Sequence, residues 1–259
     1  MEGTARVTGL EALVLGVLQG LTEFLPVSSK GHLVMGQTLL GVQLESLTFE
    51  ILVHVATLSA VVVVYRGRLL RIVRERDFSY VLKLAGACVP VGVLGLLLKE
   101  RVEAIFHDPA VTGFGLLFTG CVLFGLRFLP PAQREQPTWL GALLIGLAQT
   151  LALLPGVSRS GMTISAALAV GLSGAAAAEF SFLLSIPVIL GAAGLQALTA
   201  PLEADLGARA LTIAFCAAFA AGIVALYAVY HVLRGQRFSD FAWYCWPAGG
   251  AFLLYLTLR

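Results

Sequence analysis

Ser29 stands three residues before His32, and Glu23 stands four residues after Gln19. Helical spacing of three or four puts two side chains on one face. A serine hydroxyl beside an imidazole pairs a nucleophile with a base, while a carboxylate helped by a carboxamide oxygen offers hard donors to a divalent cation such as Mg2+ or Ca2+. All four residues lie in GVLQGLTEFLPVSSKGHL, and GLAQTLALLPGVSRSGMTI repeats its frame. Gly16, Gln19, Leu21, Ser28 and Gly31 fall on Gly146, Gln149, Leu151, Ser158 and Gly161, each pair 130 residues apart, whereas Pro26 and Pro155 miss that register by one. Interrupted apolar segments at matching places in two halves point to a shared site near the membrane midplane.

Other ionisable groups extend the constellation, since charge in apolar surroundings is costly and by default faces a cavity or a partner. Glu50, His54 and Thr57 follow at i, i+4 and i+7, drawing a polar stripe on a helix of Val, Leu and Ala that should face the site. Glu179 recurs 129 residues after Glu50, at the start of the corresponding segment of the second half. Plainer readings stand beside these. His54 could satisfy itself in helix packing, Lys30 could snorkel along its stem toward the outer face, and Ser158 and Ser160 could cap a helix. Arg159 is hardest to explain that way, because a buried guanidinium wants a carboxylate or a phosphate. Helices restarting near Gly31 and His32, and near Gly161 and Met162, would turn free N–H groups inward, so with Arg159 the two breaks make a cradle for phosphate.

The elements that must hold these residues are those of a membrane protein. Of 259 residues 58% are hydrophobic and 12% charged, with a mean hydropathy of +0.90, against roughly 25% charged residues in soluble domains. A net charge of +2 without basic runs interleaved with aromatics excludes a nucleic-acid groove. Cys88, Cys121, Cys216 and Cys245 sit singly in apolar stretches with no CxxC, which argues against a disulfide framework or a zinc site. No small-residue cleavage site follows the apolar stretch from Leu10 to Leu18, so no removable signal peptide is expected.

Six segments approach the roughly 20 apolar residues of a full span: 47–65, 80–98, 111–129, 177–199, 209–233 and 241–258. Residues 8–42 and 138–173 break at Pro and a Ser/Gly/basic cluster, and their short pieces suit re-entrant hairpins whose tips are covered by protein. Arg66, Arg68, Arg71, Arg74 and Arg76 mark one cytoplasmic connection, and Arg127 with Arg134 and Arg234 with Arg237 mark two more. The alternation closes if one hairpin enters from the outer face and the other from the inner. The expected architecture is all-α: a single membrane domain over residues 1–259, six spans plus two hairpins, with inverted repeats over about 8–129 and 138–258.

LTEFLPVSSKGHL and PGVSRSGMTIS, together with FEILVHVATLSAV and AEFSFLLSIP, resemble the undecaprenyl-diphosphate phosphatases of the bacitracin-resistance type over nearly the whole chain. The resemblance implies an enzyme of the bacterial inner membrane that removes the terminal phosphate of an isoprenoid lipid diphosphate and recycles the carrier for cell-wall synthesis. It further implies dependence on a divalent cation and a site open to the outer face. Its motif roles pass to Glu23, Ser28, Ser29 and His32 and to Ser158, Arg159 and Ser160; the helix starts and the polar stripe add Lys30, Gly31, Gly161, His54 and Thr57 beside the substrate. Gln19 replaces the first acid of the family's ExxxE motif, leaving one carboxylate fewer for metal, and Lys30 stands where a small Ser or Thr is common. Ser29 is the first choice of nucleophile with His32 as its base, and His32 as nucleophile is the competitor. Glu50, Gln149 and Glu179 complete the candidates. A lipid flippase or secondary transporter is the rival reading, since fold alone does not decide, but transport has no need of a paired Ser and His. The 28 glycines permit close packing within or between protomers, compatible with a homodimer.

Overall fold

The structure is a computed structural model, and it describes residues 8–40, 47–98, 108–130, 132–199 and 207–258. Among these residues the regular structure is helical, and the one β-type pairing is an isolated bridge between Arg134 and Leu172. The α-helices are α1 (Gly9–Phe24), α2 (Ser29–Leu40), α3 (Leu47–Val64), α4 (Arg66–Glu75), α5 (Phe78–Leu97) and α6 (Pro109–Gly125). After them come α7 (Trp139–Thr150), α8 (Arg159–Ala169), α9 (Gly174–Thr199), α10 (Ala208–Arg234) and α11 (Ala242–Leu258).

Local chemistry sets the starts and stops. Thr8 and Glu11 form a reciprocal capping box on α1. Asp108 caps α6 ahead of Pro109, and Thr138 caps α7 through the N–H of Gly141. Both broken segments end alike: Leu25 and Leu154 are extended (ψ 145 and ψ 134), the conformation that a following proline imposes. Among the described residues four helices are long and apolar enough to cross a membrane: α5, α6 with its short continuation, α9 and α10. The bent pair α3–α4, with a 66° break, makes up to five. The expected sixth, α11, has 17 residues. Four of the arginines read as cytoplasmic, Arg66 to Arg74, lie on α4 beyond that bend.

Packing runs between the two halves of the chain. α1 lies along α10 and α7 along α5; α3 packs on α10 and α9 on α5; α6 pairs with α11. Glycine permits the closest of these approaches. A Cβ on Gly16 would meet the carbonyl oxygen of Ala214 at 2.6 Å, and one on Gly146 would run into the carbonyl of Ala87. Small residues thus bring the backbones together where lipid supplies no hydrophobic drive. The outward faces, among them Leu10, Val14, Val89, Val93 and Phe114, remain exposed and apolar, as a lipid-facing surface requires.

Candidate active site

The breaks after α1 and α7 meet. Arg159 opens α8 and donates through Nη2 to Glu23 Oε1 at 2.6 Å. Ser29 opens α2 and donates through Oγ to Glu23 Oε2 at 2.7 Å. Ser29 and Arg159 occupy the same position of the repeat, 130 residues apart, so the two copies grip opposite oxygens of one carboxylate. Glu23 is only 7% exposed. Its Oε2 also accepts from Gln19 Nε2 at 3.0 Å and lies 3.8 Å from His54 Nε2. A second contact joins the tips: Ser160 Oγ donates to the carbonyl of Leu25 at 3.0 Å.

A cavity of about 170 Å³ opens beside this pair, lined by Glu23, Ser28, Ser29, Lys30, Glu50, His54, Gln149, Ser158 and Arg159 among its polar groups. One ordered water needs only about 10–15 Å³ of such space, so a larger polar group fits. Ile51, Val91, Leu153, Val157, Val188 and Ile189 supply apolar walls. Lys30 Nζ lies 3.3 Å from Glu50 Oε1 at the mouth, where both are partly exposed.

Several expectations change in detail. Ser29 turns to Glu23, not to His32. The His32 ring is engaged elsewhere, with Nδ1 2.9 Å from the Ser28 carbonyl and Nε2 2.7 Å from the Tyr244 hydroxyl, and it does not line the cavity. Three residues of spacing put Ser29 and His32 on one side of the helix, but the rotamers diverge because each finds a better partner. Thr57 bonds the carbonyl of His54 and lies against Gly222, one turn past the cavity floor, so the stripe serves the site only through Glu50 and His54. Gly31 and Gly161 do not offer free N–H groups to a ligand, because Ser28 Oγ and Ser158 Oγ take them at 3.3 and 3.1 Å. Glu179 leaves the site: its Oε1 accepts from Arg68 Nε at 2.8 Å and from the Tyr80 hydroxyl at 3.4 Å. The reason lies in the repeat. Glu50 finds Lys30 on its own tip, but Ser160 stands at the equivalent position in the second copy, and Glu179 turns to the basic helix instead.

The fit to a protein-held divalent cation is poor. Among the described residues no three of His, Cys, Asp and Glu cluster as metal ligands. Gln19 presents its amide nitrogen to Glu23, not its oxygen, and both Glu23 oxygens already accept charge-assisted or hydroxyl hydrogen bonds. A magnesium or calcium ion asks for six or more oxygens.

Unsatisfied groups mark where a ligand would bind. Among the described residues Arg159 Nη1, Gln19 Oε1, Ser165 Oγ and both amide atoms of Gln149 are buried without a hydrogen-bond partner, and of these Arg159 and Gln149 line the cavity. Such groups cost roughly 1–3 kcal/mol each when left unpaired. The two glutamines differ because Gln19 has Glu23 four residues on, whereas Gln149 has Leu153 there. The apolar cavity walls from α5 and α9 were not expected from the sequence, although Pro90 and Pro187, inside those helices, directly precede the wall residues Val91 and Val188.

Apolar helices enclosing a carboxylate–guanidinium pair beside unfilled donors define a polytopic membrane protein with a buried polar site. The family model described as "Bacitracin resistance protein BacA" matches residues 12–251, and the chain belongs to that family. It is 39% identical over 259 residues to the "Undecaprenyl-diphosphatase" of Bacteroides thetaiotaomicron, covering 95% of this chain and 98% of that one. The "Undecaprenyl-diphosphatase" of Carboxydothermus hydrogenoformans is 38% identical over 255 residues, covering 96% and 97%. "Undecaprenyl-diphosphatase 1" of Halalkalibacterium halodurans is 40% identical over 258 residues, covering 93% of each.

Proposed function

We propose that this protein is an undecaprenyl-diphosphatase: a bacterial inner-membrane enzyme that hydrolyses undecaprenyl diphosphate to the monophosphate and inorganic phosphate, recycling the lipid carrier and conferring bacitracin resistance. The names of its relatives support the substrate, and none of those reported is a transporter. The observation that carries the chemistry is Arg159, which spends one arm on Glu23 and keeps a buried Nη1 without a partner. A phosphate oxygen completes that guanidinium as a fork.

Ser29 is the nucleophile in this reading. Its proton passes to Glu23 Oε2, already 2.7 Å away, as Oγ bonds to the terminal phosphorus and the bridging P–O bond breaks, releasing the lipid monophosphate. Water then attacks the phosphoserine, the P–Oγ bond breaks, and the proton held by Glu23 returns to Ser29. Arg159 and Lys30 stabilise the charge that develops, while Gln149 Nε2 adds a donor to the cradle. His54, near Glu23, keeps that carboxylate oriented. No step is routed through a cation, because the side chains present do not form a cage for one.

The site opens to the outer face in this account. His54 is ten residues before the end of α3 (64 − 54 = 10), about 15 Å of helix at 1.5 Å per residue. That separation from the arginines of α4, which their charge assigns to the cytoplasmic side, supports an outward opening. Phosphate release from a long-chain isoprenyl diphosphate by the purified protein in detergent tests the reading, with Ser29→Ala as the control. Turnover by the wild type and none by the variant is expected; equal turnover by both would remove Ser29 from the mechanism.

A further inference from the structure

Among the described residues Ser28 is one of three non-glycine residues with positive φ, at 67°. A left-handed conformation at such a residue costs of order 1–3 kcal/mol and persists only where surrounding contacts enforce it. Here it matters because Ser28 is the residue immediately before Ser29, and its orientation aims the Ser29 hydroxyl. Two bonds to the Ser28 carbonyl hold this turn. The Ser28 carbonyl accepts from the His32 backbone N–H at 3.1 Å and contacts His32 Nδ1 at 2.9 Å. A carbonyl can only accept, so Nδ1 carries the proton. In the neutral ring Nε2 is then an acceptor, filled by the Tyr244 hydroxyl at 2.7 Å. The Tyr244 and His32 rings stack with centroids 5.7 Å apart and planes 18° from parallel. The next residue of α11, Cys245, donates from Sγ to the carbonyl of Pro26 at 3.4 Å. Two successive side chains of α11 therefore grip the first tip on either side of Ser28.

The second tip has a counterpart on the other half of the chain. Thr119 of α6 accepts from the Ser158 N–H at 3.1 Å and contacts the Gly156 carbonyl at 3.3 Å. Each tip is thus pinned through its backbone by the last long helix of the opposite half.

We infer that Tyr244 is a positioning residue for the reaction: through His32 it locks the left-handed turn at Ser28 and so holds the Ser29 hydroxyl on Glu23. His32 acts as the link, not as the proton carrier. This rests on the reading of Ser29 as nucleophile.

Tyr244→Phe keeps the ring that stacks on His32 and removes only the hydroxyl. With a long-chain isoprenyl diphosphate in detergent, kcat is expected to fall about tenfold, as a nucleophile displaced by a fraction of an ångström would give. KM is expected to stay within about twofold, with both limbs of the pH–rate profile kept. His32→Asn, whose amide reaches where Nδ1 does, is expected to retain at least the activity of Tyr244→Phe. Adding Tyr244→Phe to His32→Asn should cost nothing more, because the shared bond is already gone. Wild-type kcat in Tyr244→Phe overturns the proposal. So does an inactive, folded His32→Asn enzyme that has lost one limb of the pH profile, since His32 would then carry the proton. Histidine-selective ¹⁵N spectra test the link without an assay: Tyr244→Phe should shift the His32 Nε2 resonance of an Nδ1–H tautomer, and an unaltered spectrum overturns the brace. Ser29→Ala separates the two claims, because full activity in that variant sinks the nucleophile reading whatever Tyr244 does.

Discussion

The two hairpin tips began from one pattern and now do different work. Both end a helix at an extended leucine before proline, restart on a serine-capped helix and place the next residue on Glu23. In the first tip the left-handed residue is Ser28 itself; in the second it is the extra residue Gly156, at φ 82°, which relieves Ser158 of that strain and accounts for the prolines falling out of register. The first tip brings a hydroxyl and the carboxylate that can deprotonate it. The second brings a guanidinium and leaves Gln149 unpaired, because Leu153 stands where the first copy has Glu23. The shared pattern brings both breaks to one carboxylate, and the residues that differ between them give the first a hydroxyl and a carboxylate and the second a guanidinium.

The largest expected effect comes from removing the second tip's charge. Arg159→Ala should lower kcat/KM by about 10²–10³ or more, the loss of a preorganised partner for developing charge, and phosphate release by the purified variant measures it. Near-normal turnover would mean that the second tip does not hold phosphate. Making the copies more alike is the next test. Leu153→Glu gives Gln149 the partner that Gln19 has, and sets a second carboxylate against the diphosphate; KM should rise about tenfold, or about 1.4 kcal/mol. An unchanged KM would place Gln149 outside the binding surface. A smaller change follows from loosening the tips: Ser160→Ala deletes the bond to the Leu25 carbonyl and should cost about 1 kcal/mol of stability, read as a lower melting temperature in detergent with Arg159 still able to bind. The smallest effect is expected from Glu179→Gln, which breaks the pair with Arg68 far from the cavity and should leave KM unchanged.

Much of this was legible in the sequence, and the exceptions have physical causes. Apolar runs broken at Pro26 and Pro155 locate the hairpins, and Arg159 identifies itself as a buried charge in need of an anion. Glu23, at the end of the first apolar piece, lies beside Ser29 and Arg159. Spacing alone could not say which neighbour Ser29 would choose, since Glu23 and His32 are both within reach and the left-handed turn at Ser28 decides between them. Tyr244 was invisible because its partner lies 212 residues away in the chain. The expectation that Glu179 joins the site as the counterpart of Glu50 fails for a different reason: repeat position predicts backbone, but a buried carboxylate goes where its cation is. α11 was counted as a span on apolarity, yet its 17 residues only equal the regular part of α6, which reaches 20 with its short continuation.

The central claim is that Glu23 hands Ser29 to a phosphate held by Arg159. Rapid acid quenching of the purified enzyme with a terminally labelled isoprenyl diphosphate, followed by peptide mapping, tests it directly. An acid-stable phosphoryl group on Ser29, formed in the wild type, is the expected result. An acid-labile label that maps to His32 and persists in Ser29→Ala would contradict it.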